Sequence, residues 1–300
     1  MKKENNDEKE FIKGYDITKY ERPSIAADIA VFSIMPDEKD NYRKLPEQKL
    51  RLLLIRRGAH PFRNDWALPG GFARKGETVR ETASRELFEE THIKRAYMEL
   101  VDVYSDKDRD PRGWIISNTF MALMDGNKCK HRAGDDASEA QWFDIELEKE
   151  AEERNFLKGE DSIEIDTVYC LKLSCEDIKL SSRVKEIKSY QDYHESVSYN
   201  ILESGGLAFD HAMIIVCALK KLREITEIDG RITFNLMPEY FTLTQLQKAF
   251  ETILDEELLA ANFRRKIAGL VNETDKVLEG AGHRPAKLFK RNVEAFYKSR

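Results

Sequence analysis

Residues 68–93, LPGGFARKGETVRETASRELFEETHI, place two adjacent glycines ahead of five glutamates in one short run. From Thr78 to Glu90 the spacing is helical, with Val79, Ala83, Leu87 and Phe88 on or near one face. On that helix Glu86 and Glu90 stand one turn apart on a shared face, with Glu89 beside them. Carboxylates this close repel one another by roughly a few tenths of a kcal/mol per pair on a bare helix, so the arrangement calls for compensation. A hard divalent cation takes oxygen ligands of this kind, commonly shared with substrate phosphates. The turn at Gly70 and Gly71 lets backbone carbonyls approach the same cation, and Arg85 can orient Glu89 through a charge-assisted bond. A solvated acidic helix satisfies the helical spacing taken alone.

Outward from this run, SIAADIAVFSI (residues 24–34) and KLRLLLIRRG (49–58) read as strands on either side of a charged, proline-bearing loop. YMELVDVYSD, GWIISNTFMALM and AQWFDI read as further strands, giving a sheet-rich α/β unit reaching to about Glu150. Residues 1–20 form a polar lead-in, and residues 150–200 read as a poorly assigned extension of the unit that spans 21–200. FDHAMIIVCALKKLREITE (209–227) has the spacing of a long helix with Asp210 at its N-cap, a connector that opens the 201–300 part.

Composition sets the bounds. The chain has 300 residues, 41% hydrophobic and 35% charged, which suits two domains with real cores. No apolar run has the length of a membrane span, and the charged start MKKENNDEKE lacks a secretory apolar segment. Cys129, Cys170, Cys175 and Cys217 form no CxxC pair and no zinc spacing, so reduced thiols in a cytoplasmic compartment are expected, with no membrane partner. Residues 262–300 hold ten Lys or Arg against four Asp or Glu; with the whole chain at −6, residues 1–261 carry −12. A basic tail on an acidic body suits an anionic partner for the tail.

The full spacing is Gly71, five residues, Glu77, seven residues, then Arg85-Glu86-Leu87-Phe88-Glu89-Glu90-Thr91, position 92 and Ile93. This resembles the Nudix box, whose family hydrolyses diphosphate bonds in nucleoside-diphosphate derivatives with divalent metals. The resemblance implies a mixed sheet between helices and a Mg²⁺ (or Mn²⁺) cofactor. It implies Glu86 and Glu90 as chief metal ligands, Glu89 assisting, a carbonyl from Gly71 or its neighbour, and Arg85 with Glu77 bracing the loop–helix unit. Arg85, Glu86 and Glu89 thereby become candidate catalytic residues. The family usually has Gly where this chain has His92. Either His92 takes a left-handed backbone at a cost of about 1–2 kcal/mol, or the helix end is reshaped.

RRGAHPFRNDWALPGGF and RDPRGWIIS resemble segments of Nudix proteins that handle ADP-ribose or related sugar nucleotides. Arg57, Arg109 and Arg112 are then candidate ligand contacts, the guanidinium fork suiting a diphosphate. Trp66 either stacks on a base or belongs to the core. AGDDASEAQWF places Asp135, Asp136 and Glu139 on a loop from which such hydrolases draw a general base; Glu139 is the candidate here, an ordinary acidic loop the alternative.

In the tail, FTLTQLQKAFETILDEELLAANFRRKIAGL reads as two helices, with Thr242 and Gln245 forming a capping box and Leu243, Leu246, Phe250 and Leu254 a buried face. The second helix, about 258–270, carries Asn262, Arg264, Arg265 and Lys266. VNETDKVLEGAGHRPAKLFKRN reads as a hairpin turning at Gly280 and Gly282, with His283, Arg284 and Lys287 as cations. Two helices and a basic wing suit double-stranded DNA, one helix in the major groove and the wing on phosphates; a packing or dimer module has the same pattern. Together with GGLAFDHA, NFRRKI and GHRPAKLF, the order of the halves resembles the Nudix-related transcriptional regulators. That resemblance implies a Nudix sensor of ADP-ribose fused to a C-terminal winged helix-turn-helix, acting as a homodimer. An active hydrolase of ADP-ribose pyrophosphatase type, its tail serving dimerisation, is the alternative, and an interaction module on a catalytically dead fold the third.

Overall fold

The computed structural model describes residues 4–37, 48–128, 140–156, 162–191, 194–278 and 285–297. The polar lead-in holds a helix, α1 (Glu4–Gly14), with Phe11 and Ile12 exposed. The sheet begins with β1 (Ser24–Pro36), β2 (Gln48–Arg56) and the short β3 (Trp66–Ala67) and β4 (Gly70–Phe72). After helix α2 (Val79–Thr91) come β5 (Tyr97–Tyr104) and β6 (Ile115–Asp125). The strand order runs β10-β9-β8-β7-β2-β1-β6-β5, with β3 on β2 and β4 on β1. It is a mixed sheet: β1 is antiparallel to β2, Phe32 opposite Leu52, and parallel to β6, Phe32 opposite Leu123.

Both faces of β1 are buried, so its near-continuous apolar run is what a central strand requires. Ala27, Ile29 and Val31 face one way and pack with Ala83 and Leu87 of α2. Ala30 and Phe32 face the other way into a larger core with α3 (His211–Ile228), whose Ile215, Leu219 and Leu222 lie against the sheet. The sheet therefore sits between helices, and α3 both closes its second face and leads to the C-terminal unit.

Residues 140–203 form four long antiparallel strands: β7 (Ala140–Phe156), β8 (Ile163–Cys175), β9 (Ile178–Gln191) and β10 (His194–Glu203). They extend the sheet in sequence order beyond β2. The charged stretch from Glu148 to Phe156 is strand, exposed at every position, and pairs with β8.

Thr78 caps α2 through a reciprocal bond pair with Glu81, and His92 ends it at φ 58°, ψ 14°, its N–H donating to Phe88 O. His92 thus takes the left-handed conformation and the helix end keeps its regular form. Glycine adopts that backbone without a Cβ penalty. His92→Gly is expected to raise the unfolding free energy by about 1 kcal/mol in chemical denaturation.

A 3-10 turn (Arg231–Leu236) leads to α4 (Leu243–Leu254), α5 (Ala260–Ile267), the hairpin β11 (Val271–Leu278) with β12 (Ala286–Arg291), and α6 (Val293–Tyr297). Thr242 and Gln245 form the expected capping box. The helix expected over 258–270 is shorter, because Leu270 N–H bonds back to Ile267 O and strand begins at Val271. Phe234, Phe241, Leu246, Phe250, Phe263 and Ile267 make a separate small core for this winged helix. Gly280 and Gly282 lie outside the described residues. Arg223 of α3 donates to Ile253 O at 3.0 Å, and Lys266 of α5 donates to Glu227 O at 2.8 Å, fastening α3 to both α4 and α5.

Candidate functional site

The glycine turn and α2 meet as the spacing predicts. A Cβ at Gly71 would press on the Glu86 carboxylate, so the glycine leaves that carboxylate its place against the backbone. Glu90 accepts the Gly70 N–H at 2.9 Å. Burial, with the charges of Glu86 and Asp28 nearby, pushes the Glu90 carboxyl up to about 7, while Gly70 N–H and Arg57 oppose the rise. Arg85 donates to Glu77 at 2.7 Å, to Glu89 at 3.1 Å and to Phe72 O at 3.0 Å, and it also pairs with Glu86. Arg85, the Arg74 N–H and Thr82 together hold the Glu77 carboxyl down at about 2.

Glu90 belongs to a cavity of about 260 Å³ lined also by Asp28, Arg57, Phe72, Arg112 and Phe209. Asp28, an acid inside the apolar run of β1, accepts from Ser117 Oγ and lies 3.5 Å from Arg109 Nη2. Arg109 grips both oxygens of Asp210 at 2.8 Å. Asp210 stands at the N-cap position of α3 without a capping bond; its carboxylate serves Arg109 instead. His211 is fully buried and its pKa is lowered, chiefly by that burial. Its Nδ1 accepts the Leu68 N–H at 2.9 Å, which leaves the proton on Nε2, 3.9 Å from Asp28 Oδ1.

Several sequence expectations change here. Trp66 is buried, stacked edge-on against Phe143 at 4.8 Å, and belongs to the core and not to a base site. Arg109 also lines the cavity, but its fork is committed to Asp210, so it organises the wall from within. Arg112 is held by Asp110 and lies at the cavity surface, and Arg57 lines the cavity while donating to Pro61 O. Glu89 points away, shared between Arg85 and Arg74. Sequence reading missed Asp28, Phe72, Phe209, Asp210 as an ion-pair partner and His211. The signal available for Asp28 was its charge between apolar neighbours.

The oxygen donors Glu86 and Glu90 beside the Gly70–Gly71 backbone fit a hard divalent cation in chemistry. Among the described residues no three carboxylate, histidine or cysteine side chains already converge on one metal position. Arg85 instead draws Glu77, Glu86 and Glu89 to its own guanidinium.

In the winged helix, Arg264 is exposed on α5, and Arg265 donates to exposed Asn262 at 2.6 Å. Lys266 departs from expectation: its ammonium is turned back onto Glu227 O and the Phe250 ring, where it ties α5 to α3. Lys287 pairs with Glu273 across the wing. Glu139, Asp135, Asp136, His283 and Arg284 lie outside the described residues.

The NUDIX domain family matches residues 44–159, and a 140-residue stretch is 42% identical to the ADP-ribose pyrophosphatase of Methanocaldococcus jannaschii, covering 46% of this chain and 73% of that protein. The chain belongs to the Nudix family. As a family, Nudix proteins use divalent metal ions. This Nudix protein also matches the NrtR DNA-binding winged helix domain over residues 233–290. It is 28% identical, over 94% of its length and 88% of the relative's, to the ADPR responsive transcriptional repressor NtrR of Acinetobacter baylyi. Among solved structures, a MutT/nudix family protein from Enterococcus faecalis superposes with a TM-score of 0.65 at 25% identity, covering 96% of this chain and 93% of that one. Shewanella oneidensis NrtR complexed with a 27mer DNA shares the fold, with a TM-score of 0.60 at 22% identity over 90% of this chain and 94% of that one. No described helix of this Nudix protein is long and apolar enough to cross a membrane.

Proposed function

We propose that this Nudix protein is a DNA-binding transcriptional regulator that senses ADP-ribose or a closely related nucleoside-diphosphate sugar. The observation that carries this reading is the union, in one chain and in the order of the Acinetobacter repressor, of a carboxylate-lined Nudix cavity and a winged helix. The ligand's diphosphate would occupy the cavity beside Glu90 and Asp28, with Mg²⁺ or Mn²⁺ held by Glu86, Glu90 and the Gly71 backbone. That cation would neutralise the phosphate oxygens. Arg57 and Arg112 supply the cationic side of the cavity, and Arg109 holds Asp210 and Asp28 in place. A homodimer would present two winged helices to a two-fold DNA site in the cytoplasm.

Gel-shift titrations on upstream DNA of its own operon, with and without ADP-ribose, test this. Binding without ligand and a change in affinity with it are expected; no binding at low salt would sink the reading. Arg264→Ala should weaken binding by a similar factor on every sequence and reduce the salt slope by about 1, leaving ADP-ribose affinity unchanged.

A second reading, hydrolysis of the diphosphate bond, is favoured by the retained run from Arg85 to Glu90 and by the 42% identity to a pyrophosphatase. Purified protein with Mg²⁺ and ADP-ribose should then release AMP, and Glu90→Gln should abolish release. Product formation unchanged in that variant would remove Glu90 from the chemistry. The two readings are compatible, since a sensor can slowly destroy its own signal.

A further inference from the structure

The ten-stranded sheet bends far enough to bring its two edge strands, β5 and β10, to opposite walls of one cavity, with α3 as its floor. At about 630 Å³ this cavity is larger than the one beside Glu90 and shares no lining residue with it. Inside it the Glu186 side chain, 2% exposed, is met by Lys220, by the Tyr199 hydroxyl at 2.9 Å and by Lys188 at 3.7 Å. Lys221 reaches across from α3 to Val101 O of β5 at 2.8 Å. These three lysines are half-buried, whereas the other acids of the lining, Asp102, Asp106 and Glu224, are exposed at the rim. The interior thus sets three ammonium groups against one carboxylate, an excess of two positive charges that salt screens less than it screens the rim. Tyr104 lines the same cavity and is 7% exposed. Among the described residues its buried hydroxyl meets no oxygen or nitrogen, and beside it lies the Cys217 thiol, a weak partner. Buried polar groups are nearly always bonded, so one left over in a cavity wall marks a place for an outside atom.

We propose that this cavity is a second ligand site, separate from the Nudix cavity, and that it takes a small phosphate monoester. Lys188 and Lys220 are gathered at one carboxylate, so their charge suits an anion whose own charge sits on a single head group. A phosphate monoester carries about −1.5 to −2 there near pH 7, on three acceptor oxygens. A dicarboxylate spreads the same charge over two ends. The Tyr104 hydroxyl gives a phosphate oxygen a charge-assisted bond, and Val101, Val197 and Met213 offer the organic part an apolar wall. The site does not depend on which ligand fills the Nudix cavity. The two nevertheless share α3: Asp210 and His211 at its start belong to the Nudix site, and Arg223 and Glu227 near its end hold α4 and α5. A ligand in the second cavity therefore bears on the helix that carries the winged helix.

Isothermal titration calorimetry on the full chain tests the site, with phenyl phosphate, inorganic phosphate and succinate as titrants, each with and without saturating ADP-ribose. Phenyl phosphate should bind most tightly of the three, and ADP-ribose should leave its binding in place. Tyr104→Phe and Lys220→Met should each weaken phenyl phosphate roughly ten- to a hundredfold, with ADP-ribose affinity unchanged. Tyr104→Phe removes only a hydroxyl that meets no oxygen or nitrogen, so it should fold as the wild type does, and it decides alone if Lys220→Met fails to fold. Unchanged phenyl phosphate affinity in Tyr104→Phe, or no binding of any titrant up to roughly 10 mM, overturns the site. Succinate bound as tightly as phenyl phosphate overturns the phosphate assignment, and displacement by ADP-ribose overturns a separate cavity. If ADP-ribose itself does not bind, the proposed Nudix ligand is wrong, and Arg57→Met then separates the cavities: phenyl phosphate affinity lost in that variant overturns the second site. In gel shifts saturating phenyl phosphate should change DNA affinity, and no change overturns the coupling through α3.

Discussion

Replacing Arg109 by Met is expected to lower the unfolding free energy by roughly 3–5 kcal/mol, the cost of leaving buried charge without its partner. The Arg109 side chain is 5% exposed and that of Asp210 10%, so solvent screens the pair little. Removing the guanidinium strands Asp210 at the head of α3 and takes a cation from beside Asp28, which then faces neutral His211 and acidic Glu90. Urea denaturation followed by circular dichroism measures the loss. The double variant Arg109→Met with Asp210→Leu should recover at least half of it, because an apolar pair of similar volume needs no compensation. A single-variant loss below about 1 kcal/mol would show that water reaches the pair. Ligand binding should weaken in both variants, since the double change restores packing without restoring the charge that organises Asp28.

Phe250→Ala should cost roughly 3–5 kcal/mol as well, but in one place. Phe250 is 1% exposed and packs edge-on against Phe263 at 5.3 Å, with Gly230 pressed against its ring from the end of α3. The cavity left by this ring falls on the winged helix's own small core, whereas Ala249 and Ile253 of the same helix join the larger core of the sheet. Calorimetry should show an early transition split from that of the sheet, with DNA binding lost and ADP-ribose affinity retained. One transition moved as a whole would mean that the two cores melt together.

The box and the central strands were legible because their signals are local. A Gly–Gly turn and carboxylates at helical spacing each depend on near neighbours in sequence, as does the capping pair of Thr242 and Gln245. The doubly buried β1 reads as an apolar run for the same reason. The stretch from Glu148 to Phe156 was not legible, because a strand exposed at every position carries no apolar alternation, and only its pairing to β8 defines it. Trp66 and Arg109 stayed open in sequence for a common cause: an aromatic ring or a guanidinium beside a binding motif looks the same whether it points into the cavity or into the protein. Asp210 carried an N-cap signal that its long-range pairing with Arg109 overrode. The left-handed backbones of Phe62 and Phe209 are set by tertiary contact and leave no trace in residue type.

The place of α3 governs how the chain is made. The strand that ends at Pro36 leaves the ribosome long before the helix that begins at His211. At about 5–20 residues per second, the flank carrying Phe32, Leu52 and Met121 stays bare for on the order of ten seconds or more. Nascent chains stalled in that interval should recruit holding chaperones. Any shortened form meant to stay soluble must run at least through Ile228, because the helix over its oldest strands is made only after every strand of the sheet.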